Sequence, residues 1–347
     1  LALKKVVVSL LLLLGLGAYG GYYIWQDIHQ VMSKAIFTGD DNKTFMVKRG
    51  VGFNRLTTQL NDAKLIDNVL YFKLYAKYYK LGRTIQAGEY SIKPNTSPEQ
   101  LLSLFASGDV VRHKVALIEG SNALEIRAQL LKHGDVLNLQ STDMSEVELL
   151  KAIGATEKKL EGILLAETYQ VERGSTDIAL LKRAYQSMKK TLAAQWKKRD
   201  KKLPYKTPYE ALIMASIVEK ETGVAAERPV IAGVFVNRMR IGMKLQTDPT
   251  VIYGMGKRYK GNITRADLRR PSAYNTYVIK RLPPSPIATI GPEAIIAALN
   301  PEKTKYLYFV AKGNGSHYFS KNLREHNNAV KRYQLKRKKG YRSAPKS

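Results

Sequence analysis

The sequence predicts an α+β protein on a single N-terminal transmembrane helix, with a small strand–helix–helix–strand module ahead of a larger α+β domain. Three observations predict it. An uncharged apolar run fills Val6–Trp25. A strand–turn–helix pattern recurs at a spacing of 70 residues. Further along, a strongly capped helix begins at Thr207, and a hairpin pattern surrounds Gly313-Asn314-Gly315.

The apolar run reaches about 30 Å as a helix, the thickness of a bilayer's hydrocarbon core. Tyr19, Tyr22, Tyr23 and Trp25 crowd its far end like an interfacial aromatic belt, and Lys4 and Lys5 precede it. The positive-inside rule then leaves the N-terminus cytoplasmic and the body outside. A cleaved signal peptide is the competing reading, since Gly15–Gly20 holds small residues. The run continues past them, which favours an uncleaved anchor at residues 1–25.

Residues 26–43 read as a polar stalk. In the repeat, Phe45, Val47, Gly50, Leu56 and Leu60 return 70 residues later as Val115, Leu117, Gly120, Ile126 and Leu130. Each copy reads as a short alternating strand, a turn at Gly and a helix with apolar residues at i and i+4. The first copy continues with a helical stretch around Val69–Tyr79, an alternating strand at Ala87–Ile92, and a helix opened by Thr96-Ser97-Pro98-Glu99. Strand, helix, helix, strand over residues 44–109 is the layout of a LysM-like module, a small glycan-binding fold. Tyr71, Tyr75, Tyr78 and Tyr79 could stack on sugars there, or equally belong to a core.

Residues 110–335 form the larger domain. Ile178–Trp196 reads as a helix ending in the basic run Lys197–Lys202, taken as a solvated loop. Tyr306–Ala311 and His317–Ser320 alternate like the strands of a hairpin. Residues 336–347 are a basic tail.

The formal net charge is +28, while the apolar share of 44% is that of an ordinary globular chain. Such a field draws nucleic acid, anionic lipid or an acidic wall polymer alike. The anchor places the body outside the cytoplasm and so argues against nucleic acid. The absence of cysteine excludes disulfides, thiolate nucleophiles and Cys-based zinc sites. His113, His133, His317 and His326 show no metal-ligand spacing, and no metal or cofactor is expected.

The helix from Thr207 to Gly223 carries the chemistry. Thr207, Pro208 and Glu210 form a capping-box signature, and the centre is apolar on all sides, so the helix is expected to be buried. Glu219 lies in its last turn above Ser216, Ala215 and Leu212. Small apolar surroundings and the negative end of the helix dipole both favour a protonated carboxyl, which a general acid near neutral pH needs. The competing readings are an exposed acid paired with Lys220 or Arg228, and Glu221 as the acid instead. Ser216 has no GxSxG elbow around it and is not read as a nucleophile.

The stretch Ala215-Ser216-Ile217-Val218-Glu219-Lys220-Glu221-Thr222 resembles the signature of the YceG-like family of endolytic murein transglycosylases. The likeness continues through Val234–Met239, Leu245–Gly254, Tyr274–Tyr277, Leu282-Pro283-Pro284, His317–Ser320 and Glu325-His326-Asn327. It departs from the family pattern at Arg281 and Ser285 around Leu-Pro-Pro, at Thr289-Ile290-Gly291 and at Leu165-Ala166-Glu167, which touch loops over the cleft.

The resemblance implies a lyase that cleaves the bond between N-acetylmuramic acid and N-acetylglucosamine without water, leaving 1,6-anhydro ends and terminating nascent glycan strands. It implies Glu219 as the acid/base, with Ser216, Gln246, Asp248, Tyr274, Asn275, Tyr277, His317 and Glu325 lining or ordering the substrate cleft. One carboxyl suffices for this chemistry, so no partner acid is required. The implied partners are peptidoglycan strands, the inner membrane and peptidoglycan synthases, with the body in the periplasm. The alternative is a non-catalytic membrane-anchored glycan-binding scaffold for such a synthase; an acid held against apolar neighbours at Glu219 separates the two.

Overall fold

The computed structural model of the chain describes residues 2–335; the basic tail at 336–347 lies outside them. It is a mixed α+β structure that divides into two compact units, Leu1–His113 and Lys114–Ser347, each with its own core.

The first unit begins with α1 (Ala2–Ser33), which among the described residues is long and apolar enough to cross a membrane. Its side chains from Val6 to Leu16 point outward and are exposed. The stretch expected as a stalk from residue 26 is instead helical up to Ser33, and Ile28 and Met32 are buried in the unit's core. Gln26, Asp27, His29 and Gln30 interrupt the apolar run, but Trp25, Ile28 and Met32 keep the i, i+3, i+7 spacing of one helical face.

The next elements are β1 (Lys43–Val47), α2 (Phe53–Asp62), α3 (Val69–Tyr78) and β2 (Gly88–Ile92). The two strands pair antiparallel, Lys43 opposite Ile92 and Val47 opposite Gly88. Then comes α4 (Pro98–Ser107), which starts from a complete capping box between Ser97 and Gln100 with Pro98 in the first turn. Leu60, Phe72, Tyr90, Ile92, Leu101 and Phe105 are fully buried between these elements. Each such side chain contributes roughly 1.5–3 kcal/mol relative to exposure. Of the four tyrosines between Tyr71 and Tyr79, Tyr75 is core, and all four touch residues of α1.

The second unit begins within β3 (Arg112–Ala116), which forms a two-stranded sheet with β4 (Thr168–Glu172). After β3 comes α5 (Ala123–Leu131), so both copies of the repeat are strand, turn and helix. Gly50 and Gly120 turn the two copies in the same left-handed conformation, at φ 77° and 73°. The helices α6 (Glu146–Ile153), α7 (Asp177–Lys198), α8 (Pro208–Glu221), α9 (Arg228–Arg240), α10 (Asp248–Met255), α11 (Arg265–Arg269) and α12 (Pro292–Leu299) build the body of the unit. The hairpin of β5 (Tyr308–Ala311) and β6 (His317–Ser320) pairs Tyr308 with Ser320 and Ala311 with His317, ahead of α13 (Leu323–Val330).

The axis of this unit is α8. Every residue from Ala211 to Glu219 is buried, which explains why its sequence shows no polar face. It packs against α7, α9, α10 and α12. The basic run after Trp196 is partly helical, and the Arg199 guanidinium stacks 3.9 Å above the Trp196 ring. A tight approach fixes α9: a Cβ on Gly233 would lie 2.5 Å from the Glu302 carbonyl oxygen, so a side chain there would push the helix off its neighbouring loop.

Candidate active site

The start of α8 is set by Thr207, whose hydroxyl accepts the Glu210 N–H at 3.2 Å, while Glu210 reaches back to the Lys206 N–H at 2.6 Å. Its last turn carries Glu219 and Glu221. Two residues along a helix are about 200° around its axis, so the two carboxylates leave α8 on opposite flanks. Each meets its own set of partners.

Glu219 is buried as expected, with its side chain 3% exposed, but it is not left among apolar groups. Arg228 Nη2 donates to Glu219 Oε1 at 2.8 Å, and the Gly291 N–H donates to Oε2 at 3.0 Å. Arg228 opens α9 and Gly291 is the N-cap of α12, so two further helices close on this carboxylate. Both partners stabilise a negative charge there. The pairing with Arg228 belongs to the competing reading of the sequence; the burial belongs to the catalytic one.

Arg228 is shared. The same Nη2 lies 3.3 Å from Glu119 Oε2, in the loop after β3. Burial and the neighbouring Glu219 charge push the Glu119 carboxyl up, against the lowering pull of Arg228. Gly291 makes room for this arrangement: a Cβ there would sit 2.1 Å from Glu119 Oε1. Lys220 Nζ donates to the Gly120 carbonyl at 3.0 Å and steadies the same loop. Two carboxylates thus share one guanidinium.

On the other flank, Thr247 Oγ1 donates to Glu221 Oε1. Burial, opposed by that hydrogen bond and reinforced by the Asp248 charge, raises the Glu221 carboxyl to about 7. Asp248, the first residue of α10, accepts the Tyr277 hydroxyl at 2.6 Å. Burial first, and that bond to Asp248 second, push the Tyr277 phenol up. Gln246 stands just before them, exposed, with a left-handed backbone at φ 49°. Glu221, Thr247, Asp248 and Tyr277 therefore form one polar cluster beside α8, with the Gln246 N–H on the Thr276 carbonyl next to it.

Other expected site residues have local tasks. Ser216 is fully buried; its hydroxyl donates to the Ile213 carbonyl at 2.7 Å and accepts the Ile287 N–H at 3.0 Å, pinning the loop before α12 to α8. Asn275 is buried too, and its amide donates to the carbonyls of Asp267, Leu268 and Arg270, holding the end of α11. Tyr274 shares a hydrogen bond of 2.7 Å with Ser285, one of the residues that departs from the family pattern. His317 is tied by its ring Nδ1 and its N–H to Glu227, at 2.7 and 2.8 Å. That bond braces β6 against the residue next to Arg228. Glu325 caps the start of α13 with Asn322, and the Lys321 N–H holds its carboxyl below the usual range.

Two acids escape the sequence reading. Glu119 is one; the repeat places it opposite Arg49, an acid where the first copy has a base, and that reversal is the signal that could have found it. Glu161 is the other. It is buried, accepts the Ala123 N–H at 3.2 Å and faces Tyr253, and burial raises its carboxyl to about 7. Nothing in its local sequence marks it.

The YceG-like family matches residues 45–332. The endolytic murein transglycosylase of Bacillus subtilis (strain 168) is 31% identical over 312 residues, 84% of this chain and 86% of the relative. That of Streptococcus pneumoniae serotype 2 is 28% identical over 94% of this chain, which spans 65% of that relative's length. Among solved structures, the crystal structure of a YceG-like protein from Listeria monocytogenes is similar at a TM-score of 0.51 and 30% identity, over 84% of this chain and 99% of that one.

Proposed function

Because the chain belongs to the YceG-like family, we propose that it is an endolytic murein transglycosylase held in the inner membrane by α1, with its body in the periplasm. It cleaves the β-1,4 bond between N-acetylmuramic acid and N-acetylglucosamine within nascent strands and leaves 1,6-anhydro ends. What supports the activity is the likeness over 84% of the chain to a relative bearing that name. What supports Glu219 as its acid/base is the helix signature together with the buried carboxylate at the end of α8. The module at residues 44–109 is LysM-like by its element order and binds glycan strands weakly or orients the body on them. Peptidoglycan synthases are its protein partners.

In this mechanism one carboxyl works twice. Glu219 gives its proton to the glycosidic oxygen as the bond to the anomeric carbon breaks. The carboxylate then takes the proton of the muramoyl 6-hydroxyl, whose oxygen closes on the anomeric carbon. The proton that left with the glucosamine hydroxyl is thereby replaced. Arg228 and the Gly291 N–H hold the carboxylate form between these steps. Glu119, whose carboxyl burial and the Glu219 charge push up, stands on the same guanidinium.

A second reading exchanges the roles of the two acids in the last turn. It is favoured by the Glu221 carboxyl, raised to about 7 where a general acid is most effective. The test is digestion of isolated sacculi by the full-length protein in detergent, with mass analysis of the products. Anhydromuramyl ends from the parent protein establish the activity. Binding to sacculi without release of such ends would replace the enzyme with a glycan-binding scaffold.

A further inference from the structure

One helix of the first unit presents a largely exposed apolar stripe. α3 buries Phe72, Tyr75 and Ala76 in the core. On its other side Leu70, Leu74 and Tyr78 are 62%, 41% and 64% exposed. They stand at i, i+4 and i+8, a single stripe along the helix. Isolated exposed leucines are ordinary, whereas a continuous stripe on one helix marks an interaction surface.

The contacts of α3 fix its depth. Tyr71 donates to Asp27 at 2.6 Å, the Tyr75 ring lies 5.4 Å from His29, and the Tyr78 ring lies 4.4 Å from Trp25. The span from Tyr71 to Tyr79 rises about 12 Å, while its hydrogen bond and ring contacts with α1 fall between Trp25 and His29, about 6 Å of that helix. α3 therefore crosses α1 instead of running along it, at the level where the apolar run ends. Tyr75 and Tyr79 meet His29, and Tyr78 and Tyr79 meet Trp25, which ends the apolar run. Round α3 at 100° per residue, Leu74 and then Leu70 follow Tyr78, so the bare stripe continues from a ring set against the end of that run.

Beside the stripe, Lys73, Lys77, Lys80 and Arg83 line a cavity of about 570 Å³ with Phe53 at its wall, and no acid lines it. We infer that α3 is an in-plane interfacial helix: Leu70, Leu74 and Tyr78 enter the headgroup layer of the membrane that α1 spans, and the four cations beside them take anionic phospholipid phosphate. The inference rests on the anchoring proposed for α1. It gives the first unit a fixed seat on the bilayer, with lysine stems lying along apolar surface and their charges at the phosphates.

The chain has no cysteine, so single substitutions carry one label each. The full-length protein is reconstituted in phosphatidylcholine–phosphatidylglycerol vesicles containing nitroxide lipid, with an environment-sensitive dye at Leu70→Cys or Leu74→Cys. Leu12→Cys reports on the anchor. Lys93→Cys is the aqueous reference, in a turn whose Asn95 N–H bonds to the Phe37 carbonyl, beyond the end of α1. Lipid quenching at Leu70 and Leu74 like that at Leu12, with none at Lys93, is expected. Quenching at Leu12 while Leu70 and Leu74 behave like Lys93 overturns the inference and leaves the anchor standing. No quenching at Leu12 removes the anchor itself. Combining Lys73→Gln and Lys77→Gln with Leu74→Cys, or omitting phosphatidylglycerol, should weaken the quenching at Leu74. Unchanged quenching in both would overturn the phosphate contact.

Discussion

Arg228 Nη2 and Glu219 Oε1 are 2.8 Å apart, on side chains 10% and 3% exposed. A buried ion pair of this kind contributes little net stability, yet losing either partner is costly because the other is left charged and desolvated. Glu219 sits where α8, α9 and α12 converge, so the pair is also a joint between helices.

Replacing the cation should expose that asymmetry. Arg228→Leu leaves Glu219 with the Gly291 N–H alone and should destabilise the fold by about 3–5 kcal/mol. Glu119→Gln removes the more exposed acid at 3.3 Å and should cost under about 1 kcal/mol. Urea unfolding of the two variants beside the parent protein measures both. Equal stability of Arg228→Leu and the parent would mean that the pair is not closed in solution.

Gly291→Ala separates geometry from folding. The backbone at Gly291 has φ −82°, which any residue adopts, but the new Cβ would fall 2.1 Å from Glu119 Oε1. That oxygen ends a flexible side chain, so the carboxylate should swing off Arg228 at little cost to the fold. Turnover on sacculi should then drop, by up to about 10²-fold for a displaced charge near the reacting group, while the melt stays near that of the parent. A Gly291→Ala protein with parental turnover would detach Glu119 from the chemistry.

How much of this was legible depends on what each residue answers to. The start of α8 follows from Thr207 and Pro208, because N-capping is local chemistry; its end comes at Glu221, where Thr222 turns extended and Gly223 makes no left-handed cap. The repeat's two turns follow from Gly50 and Gly120. Burial of Glu219 is readable from an apolar helix, but its bond to the Gly291 N–H spans 72 residues, its link to Glu119 runs through Arg228, and no local pattern encodes either. Asn275 and Ser216 stand inside motif stretches and yet clip loops, because a motif marks a place in the fold without saying which of its polar groups face a ligand. The helix beyond Trp25 is not legible because its polar residues outnumber Ile28 and Met32, the two that are buried.

Stability should depend on pH in a definite direction. The carboxyls of Glu221 and Glu161 stand at about 7 in the fold against an ordinary value of 4.5. Between those values the folded chain keeps protons that the unfolded chain has released. These groups therefore lower stability as pH rises from about 4.5 to about 7, and the penalty is complete above that window. Each contributes on the order of 1–3 kcal/mol. Urea midpoints measured across the window should fall less for Glu161→Gln and for Glu221→Gln than for the parent. Parallel curves for all three would show that both acids titrate at the ordinary carboxyl value in the fold.

The two carboxyls of the last turn give the decisive comparison. Glu219→Gln keeps the side-chain size and can still accept from the Gly291 N–H, but it cannot carry a proton through the reaction. Sequence reasoning alone would expect no loss of stability, since a disfavoured charge is removed. The ion pair reverses that expectation: Arg228 keeps only Glu119 at 3.3 Å, so Glu219→Gln should be less stable than the parent. Production of anhydromuramyl ends should fall by about 10²–10⁴-fold, the usual share of general acid–base catalysis. Glu221→Gln keeps the acceptor for Thr247, and it should leave most of the activity in place. Both variants are measured on the same sacculi, with thermal melts confirming that each is folded. Near-parental product from a folded Glu219→Gln would end its role as acid/base. A folded Glu221→Gln without product would move that role across α8, to the carboxyl with the raised pKa.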